Sequence, residues 1–359
     1  MQDLDHDLSR KPIHSQVIEE WLEKVTDQGC DSPTKREAAM RIADDLPLER
    51  VSLEEFLDSP SVGRATASLV RDLATMRQKT GILPAALKSL MESQESINDP
   101  LDDTMFTSTT SAISAAELEF QHRRLVRICQ SSAECNDPAR PVYEAEWNNK
   151  VHAPILELAL DADLALDGSS KKSLVFHNIS DARVAFSFRD PSALLKDSMV
   201  DYGIFLAPTR TSPLGALITS MAKRLMQFNA LENFEMDRPL AVAIETKRTR
   251  GGDANAPSQL ANFARAQSRV TRYLFSGTTA PVGVGSIILP LIEVTGPSWR
   301  ISFAVLDADR VLVSSPLDMG STVQMSDCYV LLQSLLRLLR WLRTECAACW
   351  TAHLQISKT

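Results

Sequence analysis

At 359 residues, 44% of them hydrophobic, the chain is long enough for one large domain or two ordinary ones and apolar enough for a real core. Its six cysteines are too few for a disulfide scaffold. The net charge of −8 argues against a broadly basic surface. However, the first 60 residues hold 15 acids and 7 bases, so the acidity belongs to the N-terminal arm and the rest of the chain is neutral.

The start, Met1-Gln2-Asp3-Leu4-Asp5-His6, is polar and acidic, and no basic segment leads into an apolar one, so a signal peptide is not expected. Val17, Ile18, Trp21, Leu22 and Val25 recur at helical spacing before Asp31-Ser32-Pro33 breaks the pattern. Ser52 and Glu55 have the spacing of a capping box. Ser93–Ser111, rich in Ser, Thr, Asp and Asn, reads as a flexible linker. Residues 1–110 are therefore expected to form an acidic, helical and partly flexible N-terminal region. The main domain follows over 111–350, with a tail over 351–359.

Ala115–Ile128 predicts a helix, and Tyr143–Leu160 a second, with Trp147, Val151, Ile155, Leu158 and Ala159 on one stripe. Residues 174–188 have mixed character. Strand-like runs follow at 199–206, 240–247, 283–292 and 299–306. A helix is expected over Ala256–Phe275, and an amphipathic one over Ser326–Leu342. Helix, strands, helix, strands, helix predicts an α/β fold with a mixed central sheet flanked by helices. The best apolar run, Val282–Ile292, is broken by Gly and Pro and is too short to span a bilayer. No membrane association is expected, and the location is expected to be intracellular, nuclear or cytoplasmic. Cys346-Ala347-Ala348-Cys349, with His353 beyond, is half of a zinc site at most; without a second pair it reads as helix packing.

The chemistry concentrates in Ala241-Val242-Ala243-Ile244-Glu245-Thr246-Lys247-Arg248, where an acid, a spacer and a lysine close an apolar run. Side chains alternate faces along a strand, so Glu245 and Lys247 are expected on one side. Asp201 lies in a second apolar run, Met199–Leu206. Charges inside buried strands are costly unless paired or metal-bound, which favours a site over two isolated acids. Asp201 and Glu245, with the backbone carbonyl of Thr246, suit a hard cation such as Mg²⁺ (or Mn²⁺) that prefers oxygen ligands and keeps several waters. Lys247 is expected to orient or deprotonate water, or to support developing charge. Glu146, on the preceding helix, is expected to hold a metal-bound water, with Glu144 as its competitor. Arg265, Arg269 and Arg272 are spaced to share one helix face. With Arg248 and Gln259 they form the expected nucleic-acid contacts, the bland alternative being a solvated face. The segregation of charge also suggests that the acidic arm masks this basic helix in cis.

An Asp followed at a distance by Glu-x-Lys resembles the PD-(D/E)XK nuclease superfamily. The likeness is more specific to its fungal nuclease-like domain proteins, over roughly residues 110–350. The blocks that carry it are Glu146-Trp147-Asn148 with Val151-His152 and Pro154–Leu160; Met199-Val200-Asp201-Tyr202; Ile244–Arg248; Gln259-Leu260 with Ala266-Gln267; Leu289-Pro290 ahead of Trp299; and Gly320-Ser321-Thr322. Leu231-Glu232-Asn233-Phe234 lacks the His usual before the Glu-x-Lys strand, and Phe263 stands where a Trp is usual. The resemblance implies a restriction-endonuclease-like core, with Asp201, Glu245 and Lys247 as catalytic positions and Glu146 as the helix acid. The expected function is Mg²⁺-dependent hydrolysis of phosphodiester bonds in DNA or RNA. The alternative is an inactive or repurposed protein on the same fold, serving as a binding module or in fungal small-molecule biosynthesis.

Overall fold

The computed structural model describes residues 33–41, 43, 45–93, 101–107, 113–168, 172–190, 199–222, 226–248, 256–275 and 285–356. The helical pattern of Val17 to Val25 lies outside the described residues.

The N-terminal part contains α1 (Pro33–Arg41), β1 (Leu48–Val51), α2 (Leu53–Asp58), α3 (Arg64–Met76), a short β2 (Leu83–Pro84), α4 (Lys88–Glu92) and β3 (Phe106–Thr107), which pairs with β2. Ser52 and Glu55 make the reciprocal capping box at the start of α2. Then come α5 (Ala115–Cys135), α6 (Glu144–Trp147), a π-helical turn (Asn148–His152) and α7 (Ala153–Asp167), the last three forming one continuous helical rod. Strands β4 (Leu174–Asn178) and β5 (Tyr202–Leu206) precede α8 (Pro213–Ala222), β6 (Leu240–Lys247) and α9 (Ala256–Leu274). The chain continues through β7 (Ile287–Thr295), β8 (Ser298–Leu306), β9 (Val311–Ser314), β10 (Leu317–Ser321), α10 (Met325–Trp341), a second π turn (Leu342–Cys346) and α11 (Ala347–Ile356).

Among the described residues, eight strands form one mixed sheet in the order β1-β9-β8-β7-β6-β5-β4, with β10 on β8. The pairs β6–β7 and β1–β9 are parallel and the others antiparallel. The central strand β6 is buried along nearly its whole length, which explains its unbroken apolar run rather than an in–out alternation. Helix α9 packs across β6 to β9, and α7 packs against β4 and α10. The edge strand β1 comes from the segment before residue 110, so the N-terminal region supplies part of the main sheet. Of the expected linker 93–111, residues 93 and 101–107 are described, and the latter include β3. Among the described residues, no helix is long and apolar enough to cross a membrane.

Candidate active site

Strand pairing brings the three expected ionisable residues together. Tyr202 pairs antiparallel with Ile244, so Asp201, one residue before β5, comes level with Glu245 on β6. Lys247 follows two residues on, on the same face as Glu245. Its Nζ lies 2.5 Å from Glu245 Oε1. Glu245 is 2% exposed, and its pKa is pushed up to about 8. Burial is the main cause, the Asp201 charge adds to it, and the Lys247 ammonium only partly offsets both. Burial works against the Lys247 ammonium, but Glu245, Glu144 and Asp201 outweigh it and hold its pKa above the usual lysine value. Tyr202 is likewise pushed up, by burial and then by Asp201, Glu144 and Glu157.

Asp201 Oδ2 accepts from both the backbone N–H and the hydroxyl of Thr246, each at 2.8 Å. Within a strand, a residue's N–H and C=O point to the same side. The Thr246 carbonyl therefore opens toward Asp201, ahead of the first residue of β5. The carboxylates of Asp201 and Glu245 and this carbonyl are hard oxygen donors. Their fit to a divalent cation is supported by the raised pKa of the buried Glu245, which burial and the neighbouring Asp201 charge leave costly to ionise without a further cation. Among the described residues, no group of three or more His, Cys, Asp and Glu side chains is arranged to hold a metal.

The helix acid needs correction. Glu146 Oε1 is taken up by Lys150, 2.8 Å away, in a half-exposed pair along the helix. Glu144 Oε2 is 3.8 Å from Lys247 Nζ instead. Two residues apart on a helix point about 200° apart, so only one of these glutamates is able to face the strand end.

Two residues beside that helix acid carry more than the sequence suggested. Asn148 Oδ1 lies 2.9 Å from Thr246 Oγ1 and 2.8 Å from His152 Nδ1. His152 Nε2 lies 2.8 Å from the Gly296 carbonyl, and the Gly296 N–H donates to the Lys247 carbonyl at 2.7 Å. The π turn holds the end of β6 at two successive residues. The His152 ring stacks on Trp147, with centroids 5.6 Å apart, and meets Trp299 edge-on at 5.8 Å. Burial drives its pKa down to about 4, against a smaller opposing effect of the Gly296 carbonyl.

The expected arginine ridge is also corrected. Arg265 and Arg269 are buried, not solvent-facing. Arg265 donates to the Leu46 and Asp45 carbonyls at 2.8 and 2.7 Å, and its Nη1 sits 2.7 Å from Asp190 Oδ2 as an ion pair without good hydrogen-bond alignment. Arg269 bridges Asp190 and Asp45, at 2.8 and 2.9 Å. Arg272 is half exposed but is paired with Asp45 at 2.8 Å. Burial works against the Asp45 carboxylate, but Arg272 and Arg269 outweigh it and hold its pKa below the usual range. The expected contact of the acidic arm with this helix thus exists at Asp45, as packing. The cluster also lies at the wrong end of the sheet. Ser268 bonds the carbonyl of Asp307, directly after β8, whose last residue pairs with Ile287, whereas Glu245 pairs with Glu293. Six residues along β7 span about 20 Å. Arg248, directly after Lys247, is exposed, and Gln259, in the first turn of α9, is half-buried, its Oε1 without a hydrogen-bond partner among the described residues.

A comparison with curated proteins found no match. The family model described as the PD-(D/E)XK nuclease superfamily matches residues 91–347, well over half of the chain, including the Asp201 and Glu-x-Lys strands and the helix of Glu144 and Asn148. The chain belongs to the PD-(D/E)XK nuclease superfamily.

Proposed function

We propose that the protein is a Mg²⁺- or Mn²⁺-dependent phosphodiesterase acting on DNA or RNA. The observation that carries this reading is the meeting of Asp201, Glu245 and Lys247 at adjacent strand ends, in a chain of a nuclease superfamily. Asp201, Glu245 and the Thr246 carbonyl are the groups that would hold the cation, which supplies charge relief on the phosphate and activation of water when bound. Lys247 is kept protonated by three neighbouring acids. It therefore serves as a fixed positive charge for the phosphate and not as the base that takes a proton from water. Glu144 holds the Lys247 ammonium from the helix side, in the place expected for Glu146. Arg248 is the exposed base closest in sequence to this centre and the best-supported phosphate contact; Gln259 remains a candidate on the following helix. Arg265, Arg269 and Arg272 are left out of the proposed interface because their acids already engage them.

The test is cleavage of single- and double-stranded DNA and RNA with Mg²⁺ or Mn²⁺. Asp201→Ala should abolish it, Lys247→Ala should leave only a small residual rate, and chelation should stop it. Cleavage that survives both substitutions belongs to a contaminant. A protein with neither divalent-cation affinity nor nucleic-acid affinity at low salt would be a repurposed member of the superfamily, as a binding module or in small-molecule metabolism.

A further inference from the structure

The contacts between the π turn and β6 are made of donors and acceptors that fit together in only one way. The Gly296 carbonyl accepts only, so the His152 Nε2 facing it carries the proton. The ring is buried and its pKa lies near 4, so it is neutral and its Nδ1 is an acceptor. The end of the Asn148 carboxamide facing Nδ1 must then donate. The two ends of an amide are told apart by what they bond, and here that end is NH₂. Its two hydrogens serve His152 Nδ1 and Thr246 Oγ1. The Thr246 hydroxyl, once it accepts from Asn148, gives its own hydrogen to Asp201 Oδ2. With the Thr246 N–H on the same oxygen, Oδ2 is occupied twice and Oδ1 is the oxygen left for another ligand.

We propose that Asn148 is a positioning residue for the candidate metal centre: anchored by His152, it turns the Thr246 hydroxyl onto Asp201 and reserves Asp201 Oδ1 for the cation. The π turn brings this about. Asn148 and His152, its first and last residues, are four apart and so neighbours on one helix face, and Asn148 also reaches β6; such turns are frequent at functional sites. The inference rests on the metal reading given above for Asp201.

Calorimetric titration of the full chain with Mn²⁺ alone tests it. Thr246→Val keeps the shape of the buried side chain and removes the hydroxyl; it should weaken Mn²⁺ binding by about 10–100-fold, as is usual when an outer support of a metal ligand is lost. Thr246→Ser, which restores the hydroxyl, should recover most of that loss. Asn148→Ala should weaken binding to a similar degree, and the double variant Asn148→Ala/Thr246→Val should bind no worse than the weaker single, because the two act in one chain. A purely structural role would instead give losses that multiply. Imidazole ¹⁵N spectra provide a readout that needs no metal and no variant: His152 Nδ1 should be unprotonated. A protonated Nδ1, wild-type affinity in Thr246→Val, or multiplying losses would each overturn the proposal while leaving the metal site standing. Wild-type protein that does not bind Mn²⁺ would remove the metal reading itself, and the inference with it.

Discussion

Arg265→Ala tests whether the basic helix face is structural. The substitution takes a fully buried guanidinium out of a cluster that joins α9 to Asp190 and to Asp45-Leu46. Asp190, 4% exposed at its side chain, keeps Arg269 as a partner at 2.8 Å. The cost therefore falls at the lower end of the roughly 3–5 kcal/mol typical of breaking a buried ion pair. The Leu46 and Asp45 carbonyls lose donors, which adds about 1 kcal/mol or more. A loss of about 4 kcal/mol is expected, a large part of the roughly 5–15 kcal/mol that holds a domain folded. Arg272→Ala breaks a half-exposed pair and should cost less than about 1 kcal/mol. Urea unfolding measures both, read as a fall in midpoint at constant slope. If Arg265→Ala kept its stability within about 1 kcal/mol while losing nucleic-acid affinity, the side chain would have been free for phosphate and the reasoning would fail.

The cation site is expected to be pH-linked. Below about pH 8 the buried Glu245 carboxyl holds a proton that a cation must displace. Mn²⁺ affinity should therefore rise about tenfold per pH unit between roughly pH 6 and 8 and level off above that; a flat profile would count against Glu245 as a ligand. The same shift predicts that metal-free stability falls as pH rises from about 4.5 to about 8. In that window the folded chain retains a proton that the unfolded chain has lost, and unfolding midpoints across the range report it. Glu144→Gln should lower the Lys247 pKa and slow cleavage, whereas Glu146→Gln should behave as wild type; the reverse order would restore Glu146 as the helix acid. Lys247→Met should cut kcat by about 10²–10³ with less change in KM, as expected for a charge used in the transition state, and an equal loss confined to KM would assign it to binding.

Some of this site is written plainly in the sequence. The apolar run ending at Lys247 marks β6, and the observed strand, Leu240–Lys247, has the expected bounds because burial on both faces demands such a run. Period two then puts Glu245 and Lys247 on one face without any knowledge of neighbours. Asp201 was visible for a similar reason, as an acid at the mouth of the fully buried β5. The arginines were misread because i, i+4, i+7 spacing fixes a common face but not what covers it. The partners of Arg269, Asp190 and Asp45, are 79 and 224 residues away in sequence. Glu146 was preferred to Glu144 because the helix phase at its first turn depends on the start point, which spacing leaves open. Asn148 reads as an ordinary polar helix residue, since a π turn leaves no mark in an apolar stripe. β1, Leu-Glu-Arg-Val, has too few apolar residues to signal a strand and is one because β9 lies alongside it.

The most direct measurement is anomalous diffraction from crystals equilibrated with Mn²⁺. A single strong peak is expected within coordination distance (about 2–2.3 Å) of both Asp201 Oδ1 and a Glu245 oxygen, beside the Thr246 carbonyl. No peak there, or one held by other residues while Asp201 and Glu245 stay bare, would contradict the account.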